Sequence, residues 1–227
     1  MVTAQRFPYS PNRHLTPPQA AIADFESFKS SHGITHSVLV HGLSYGDDCS
    51  SLKAFITGLG ESVTQGIAVI NEDTSDCEIE ELHSHGIRGI RMDLYRYKAM
   101  EDVEKQVELL KLYADRIRPK GWSLDFLQLK PENYATLGRV IPALSLPVVT
   151  DHHALLKAQS MLPSGVDVLS QPGLSDVVSL LKTGSFWVKL SAPYRCSEDA
   201  PHYADMKPLV RALVDANPRR VLWGSDW

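Results

Sequence analysis

An α/β fold of the (β/α)8 TIM-barrel type, incomplete with about seven strands, is predicted for this 227-residue chain by three observations. Seven short runs of apolar or β-branched residues recur along it. Between them lie stretches whose apolar residues fall at helical spacing, several closed by a glycine. No GxGxxG or GxxxxGKS/T stretch follows any of the runs, so the phosphate-cradling turn of a nucleotide-binding open sheet is missing. Near-continuous apolar strands separated by helices imply a parallel sheet covered by helices, because each parallel crossover needs a dozen or more residues. The regular strand–helix beat and the chain length favour a barrel over an open doubly wound sheet.

Taken in order, Pro8, Pro11, Pro17 and Pro18 make residues 1–16 an irregular, extended opening. AIADFESFKSSHG then predicts a first helix over roughly 17–32. The strands are HSVLVHG (36–42), GIAVI (66–70), GIRGIRMD (86–93), WSLDFLQ (122–128), PVVTDH (147–152), FWVKLS (186–191) and VLWGSD (221–226). CEIEELHSHG, MEDVEKQVELLKLYADRI and SDVVSLLKTG supply helices between them. A complete barrel needs eight strands. Here the first element after the opening is a helix and the last a bare strand. The expectation is one domain over 1–227, cut at both ends, with one strand preceding residue 1 and a closing helix following residue 227.

The totals narrow the function. Composition is 43% apolar and 22% charged, enough for a substantial single core. A formal charge of −4 without charge blocks or a basic stripe gives no footprint for nucleic acid or an acidic membrane surface. Cys49, Cys77 and Cys196 are odd in number and lack CxxC spacing, which supports neither a disulfide framework nor a zinc ribbon. No run has the length of a signal-peptide core or a membrane span. The expectation is a cytoplasmic protein with a small-molecule partner, and a homo-oligomer if open strand edges pair between copies.

In barrels of this kind the chemistry sits at the C-terminal ends of the strands. There the chain carries His41, Asn71 and Glu72, Arg91 and Asp93, Asp125 and Gln128, Asp151 and His152, Ser191 with Tyr194 and Arg195, and Asp226. Any one is explained by strand ends meeting solvent; together they favour a site. Asp226, behind the apolar Val221, Leu222 and Trp223, suits proton transfer. His152 could serve as a base, a metal ligand or a carbonyl polariser, or pack between strand and helix. Strand alternation would let only one of Asp151 and His152 face the axis. Arg91 and Arg195 are suited to holding carboxylates through a two-pronged guanidinium contact, with a structural ion pair as the rival account. His83-Ser84-His85 resembles a metal-binding HxH pair, but it ends a helix, where positions two apart diverge. It reads as helix-terminal histidines favoured by the dipole.

VLWGSDW, together with FWVKLSAPYR, PVVTDHH, GIRGIRMD and the opening RFPYSPNRHLTPPQA, resembles the amidohydrolase-related hydrolases, closest to the 2-pyrone-4,6-dicarboxylate lactonase-like group. The resemblance runs through essentially the whole chain in the same order. It implies hydrolysis of a carboxylated lactone, ester or amide at the strand tops. Asp226 would be the general base on water and His152 a histidine of the catalytic pocket. Arg91, Arg195 with Tyr194 beside it, and Arg96 would bind the substrate's carboxylates. It implies either a divalent metal, zinc or manganese, or none, as in the lactonase-like group. The chain departs from that group at Leu15, where a tyrosine is expected, and at Ser123, where a histidine is expected. A second arginine after Arg91 is represented by Tyr97, with Arg96 adjacent. The family's HxH motif would precede residue 1, and a Pro-His continuation would follow Trp227. Two rivals stay open: a non-catalytic remnant, and a decarboxylase of an aromatic acid on the same scaffold.

Overall fold

A computed structural model describes residues 6–18 and 20–227; the first five residues of the expected opening loop, and Gln19 within the expected first helix, lie outside them. The chain packs as two compact units, residues 1–93 and 94–227.

In the first unit, β1 (Ser37–Val40), β2 (Thr64–Ala68) and β3 (Ile87–Arg91) run parallel in that order. They alternate with α1 (Ile22–Ser31), α2 (Ser50–Leu59) and α3 (Asp76–Ser84). The first helix starts at Ile22 rather than near 17, because Pro17 and Pro18 lock an extended backbone and Asp24 accepts from the Ala21 amide at 2.9 Å. A reciprocal cap starts α3: Ser75 Oγ accepts from the Glu78 amide, and Glu78 accepts from the Ser75 amide at 2.7 Å. Ile56, Ile67, Ile79, Ile87 and Ile90 fill the space between helices and strands.

In the second unit, β4 (Ser123–Phe126), β5 (Val148–Thr150), β6 (Phe186–Leu190) and β7 (Val221–Trp223) are again parallel and in sequence order. The helices are α4 (Val103–Ile117), α5 (Tyr134–Val140), α6 (Leu174–Thr183) and α7 (Lys207–Ala216). Trp122, Phe126, Tyr134 and Phe186 form the aromatic heart of this unit, and the buried Tyr134 phenol is satisfied by Thr150 Oγ1 at 2.6 Å.

All seven expected strands are present and all have parallel neighbours, so the predicted class holds. Six are shorter than expected, and β2 begins and ends two residues earlier. The strand β5 ends at Thr150, not residue 152, and β7 ends at Trp223, not residue 226. The residues released at both strand ends include His152 and Asp226, the pair expected to carry the chemistry. Among the described residues, no helix is long and apolar enough to cross a membrane.

Candidate active site

The exits of β5, β6 and β7 each pass through left-handed backbone. After β5, His152, His153, Ala154 and Leu155 have φ of 52°, 56°, 57° and 52°. Four successive non-glycine residues in this region cost roughly 1–2 kcal/mol each. All four are buried, which is how surrounding packing holds a conformation the chain would not choose. The Ala154 amide donates to the Asp151 carbonyl at 3.0 Å and the Leu156 amide to the His153 carbonyl at 3.2 Å. After β6, Ala192 is left-handed, and after β7, Asp226 is as well.

The turn overrides strand alternation. Asp151 and His152 were expected to point to opposite faces; instead Asp151 meets Lys189, and His152 meets Ser191. Lys189 and Ser191 are two apart along β6 and its exit, hence on one face. The His152 Nδ1 lies 2.9 Å from Ser191 Oγ, and its Nε2 lies 3.8 Å from Asp226 Oδ1. The first is a hydrogen bond; the second is a charge contact too long for a direct one. The other carboxylate oxygen of Asp226 accepts from the Tyr194 hydroxyl and lies 3.8 Å from Arg195 Nε. That bond from Tyr194 to Asp226 raises the phenol's pKa, with a smaller push from desolvation. The Arg195 guanidinium also stacks over the Tyr194 ring, 5.3 Å from its centroid, and stays nearly half exposed. Asp226, His152, Arg195 and Tyr194 are thus one cluster within the second unit.

Beneath them Asp125 and Asp151, both expected at strand ends, share a partner that sequence reading missed, Lys189. Lys189 Nζ donates to Asp125 Oδ2 at 2.6 Å and to Asp151 Oδ1 at 2.9 Å. The carboxylates are 2% and 6% exposed and the lysine 16%, so this is a buried triad. Burial alone would lower the lysine's pKa, but the two carboxylates outweigh it and the net shift is upward. The available signal was a lone lysine inside the apolar run FWVKLS, a place where a charge is rarely left without a partner.

The other expected residues lie elsewhere. Arg91 closes β3 in the first unit, half-buried. Near it, His41 follows β1 and is 2% exposed; burial lowers its pKa to about 4, Asp48 countering this and Arg91 adding to it. Its Nε2 has no hydrogen-bond partner among the described residues. Arg96 is exposed in the turn that opens the second unit. Tyr97 bonds to the Tyr113 hydroxyl at 2.6 Å. His83 and His85 end α3 as helix-terminal histidines, with His85 Nδ1 2.8 Å from the Glu81 carbonyl.

Among the described residues no group of three or more His, Cys, Asp or Glu side chains could hold an ion. His152 and Asp226 alone are two donors, so these residues do not fit a metal.

The sequence profile of the amidohydrolase family matches residues 3–227. The chain belongs to the amidohydrolase family. Among its relatives in that family is the 2-pyrone-4,6-dicarboxylate hydrolase of Comamonas testosteroni, 28% identical over 97% of this chain and 72% of that protein. The 4-sulfomuconolactone hydrolase of Hydrogenophaga intermedia is 29% identical over 98% of this chain and 70% of the relative. An apo crystal structure of an Agrobacterium tumefaciens protein superposes with a TM-score of 0.79, at 20% identity, over 97% of this chain and 76% of its own. The last comparison shows the fold. The first two, both hydrolases by name, bear out the reading of this amidohydrolase as an amidohydrolase-related, lactonase-like hydrolase.

Proposed function

We propose that this amidohydrolase opens a carboxylated lactone by base-activated water. The observation that carries the reading is the His152–Asp226 pair, held from one side by Ser191 and from the other by Tyr194 and Arg195. Asp226 takes a proton from water as the water oxygen bonds to the lactone carbonyl carbon. His152 Nε2–H donates to the carbonyl oxygen as it gains charge. The ring C–O bond then breaks, and the proton on Asp226 passes to the departing ring oxygen, leaving a hydroxy or enol acid. Arg195 binds a substrate carboxylate by the exposed prongs of its guanidinium, and Tyr194, whose hydroxyl proton goes to Asp226, lines the same subsite with its ring. Both named relatives act on ring esters that carry additional acid groups, which supports this substrate class. The carboxylate-binding roles of Arg91 and Arg96 rest on the sequence alone and are tested by replacing each with glutamine.

The test is hydrolysis of 2-pyrone-4,6-dicarboxylate and 4-sulfomuconolactone, with and without added zinc or manganese. Asp226→Asn should lower kcat by about 10²- to 10⁴-fold, the contribution of one positioned base. Arg195→Gln should raise KM more than it lowers kcat. Silence on both lactones, or an Asp226→Asn variant as fast as the parent, would overturn the reading.

A further inference from the structure

The strained turn is gripped at Asp151, the residue that leads into it, by a charged group of a neighbouring strand, Lys189 of β6. Asp151 sits at the hinge between the end of β5 and the left-handed run. Its amide donates to the Phe126 carbonyl at 3.3 Å, its carbonyl accepts from Ala154, and its carboxylate takes the Lys189 ammonium at 2.9 Å. Two residues along the same face of β6, Ser191 takes the ring of His152. The turn is therefore fastened to β6 at two successive points, one ionic and one neutral.

We propose that Lys189 is a positioning residue that acts through Asp151, clamping the left-handed turn to β6 so that His152 presents Nε2 toward Asp226. This deepens the hydrolase reading and rests on it for its kinetic part. A buried ion pair is a poor source of net stability but an effective way to fix register, since a buried charge tolerates few alternative partners. Asp125, the triad's third member, gives an internal control. Its carboxylate takes the same Lys189 ammonium, but from β4.

The experiment compares Asp151→Ala with Asp125→Ala. Each variant leaves Lys189 with one carboxylate, so the buried charge balance changes equally, and Lys189→Met, which strands two acids and could fail to fold, is avoided. The ring-nitrogen NMR signals of His152 report its tautomer and surroundings without any substrate; kcat and KM report its use. Asp151→Ala should shift the His152 ring signals and lower kcat at least tenfold with KM within twofold. Asp125→Ala should keep the ring signals, and kcat within about threefold of the parent. Equal losses in the two variants, or an unmoved His152 ring in Asp151→Ala, would overturn the clamp. If the parent hydrolyses no lactone, the hydrolase reading falls while the ring signals still decide the clamp.

Discussion

At Ser191, a single hydroxyl lies 2.9 Å from His152 Nδ1 and can either donate to it or accept from it. With Ser191 donating to Nδ1, the ring proton sits on Nε2 and faces the Asp226 carboxylate, the arrangement needed to donate to a carbonyl. Ser191→Ala removes that donor and leaves Nδ1 buried without its partner. It should cost about 1–3 kcal/mol of stability. A kcat loss of about tenfold is expected with little change in KM, measurable by denaturant melts and steady-state kinetics. At this scale the sequence was most readable where polarity breaks an apolar strand at its end: Asp226, His152, Arg195 and Tyr194, expected from such ends, lie together in the structure. Lys189 escaped because its partners lie 38 and 64 positions away, and a strand lysine alone reads as a solvent-facing residue. The pairing of Asp151 with His152 on one face of β6 was also illegible, since it depends on φ values that these side chains do not ordinarily adopt.

Among the elements, glycine and proline explain both what was hidden and what is fragile. The helices α2, α5 and α7, which periodicity did not single out, contain Gly58, Gly138 and Pro208. Each looks like a breaker in the sequence. In the structure Pro208 occupies the first turn of α7, where its missing amide costs nothing. Gly58 lets α1 approach α2, since a Cβ there would lie 2.5 Å from Ile22 Cδ1. Gly173, at the start of α6, is the most constrained. Its φ is +83° and an added Cβ would stand 2.1 Å from the Pro131 carbonyl oxygen, which is backbone and cannot swing away. Gly173→Ala should destabilise the second unit by about 2–5 kcal/mol, combining the left-handed penalty with overpacking. A thermal melt checks it, and an unchanged Tm would contradict the close approach of α6 to the turn at Pro131.

Over the whole molecule, acid should loosen the fold through buried neutral histidines, one in each unit. His41 and His153 are both lowered from 6.5 to about 4, chiefly by burial. Between those values the unfolded chain binds protons that the folded chain refuses. Their stability contribution is therefore full above about pH 6.5 and is lost as pH falls toward 4, up to roughly 3 kcal/mol per ring. The unfolding free energy should fall between pH 7 and pH 4.5, and His153→Gln should shrink that fall by about 2 kcal/mol in denaturant melts; an identical pH dependence in the two proteins would count against it. The alternation of strands and helices, legible from hydrophobic periodicity, was recovered strand for strand. The division at Asp93 and Leu94 was not legible, because it falls inside a short loop with no change in composition.

That division has an optical corollary. Trp122, Trp187, Trp223 and Trp227 all belong to residues 94–227, and residues 1–93 contain no indole. Emission excited at the tryptophan edge consequently monitors one half of the chain, with Trp122 fully enclosed and Trp223 and Trp227 open to water beside Asp226. Amide circular dichroism sees both halves, so any gap between the two melting curves measures the independence of the indole-free unit.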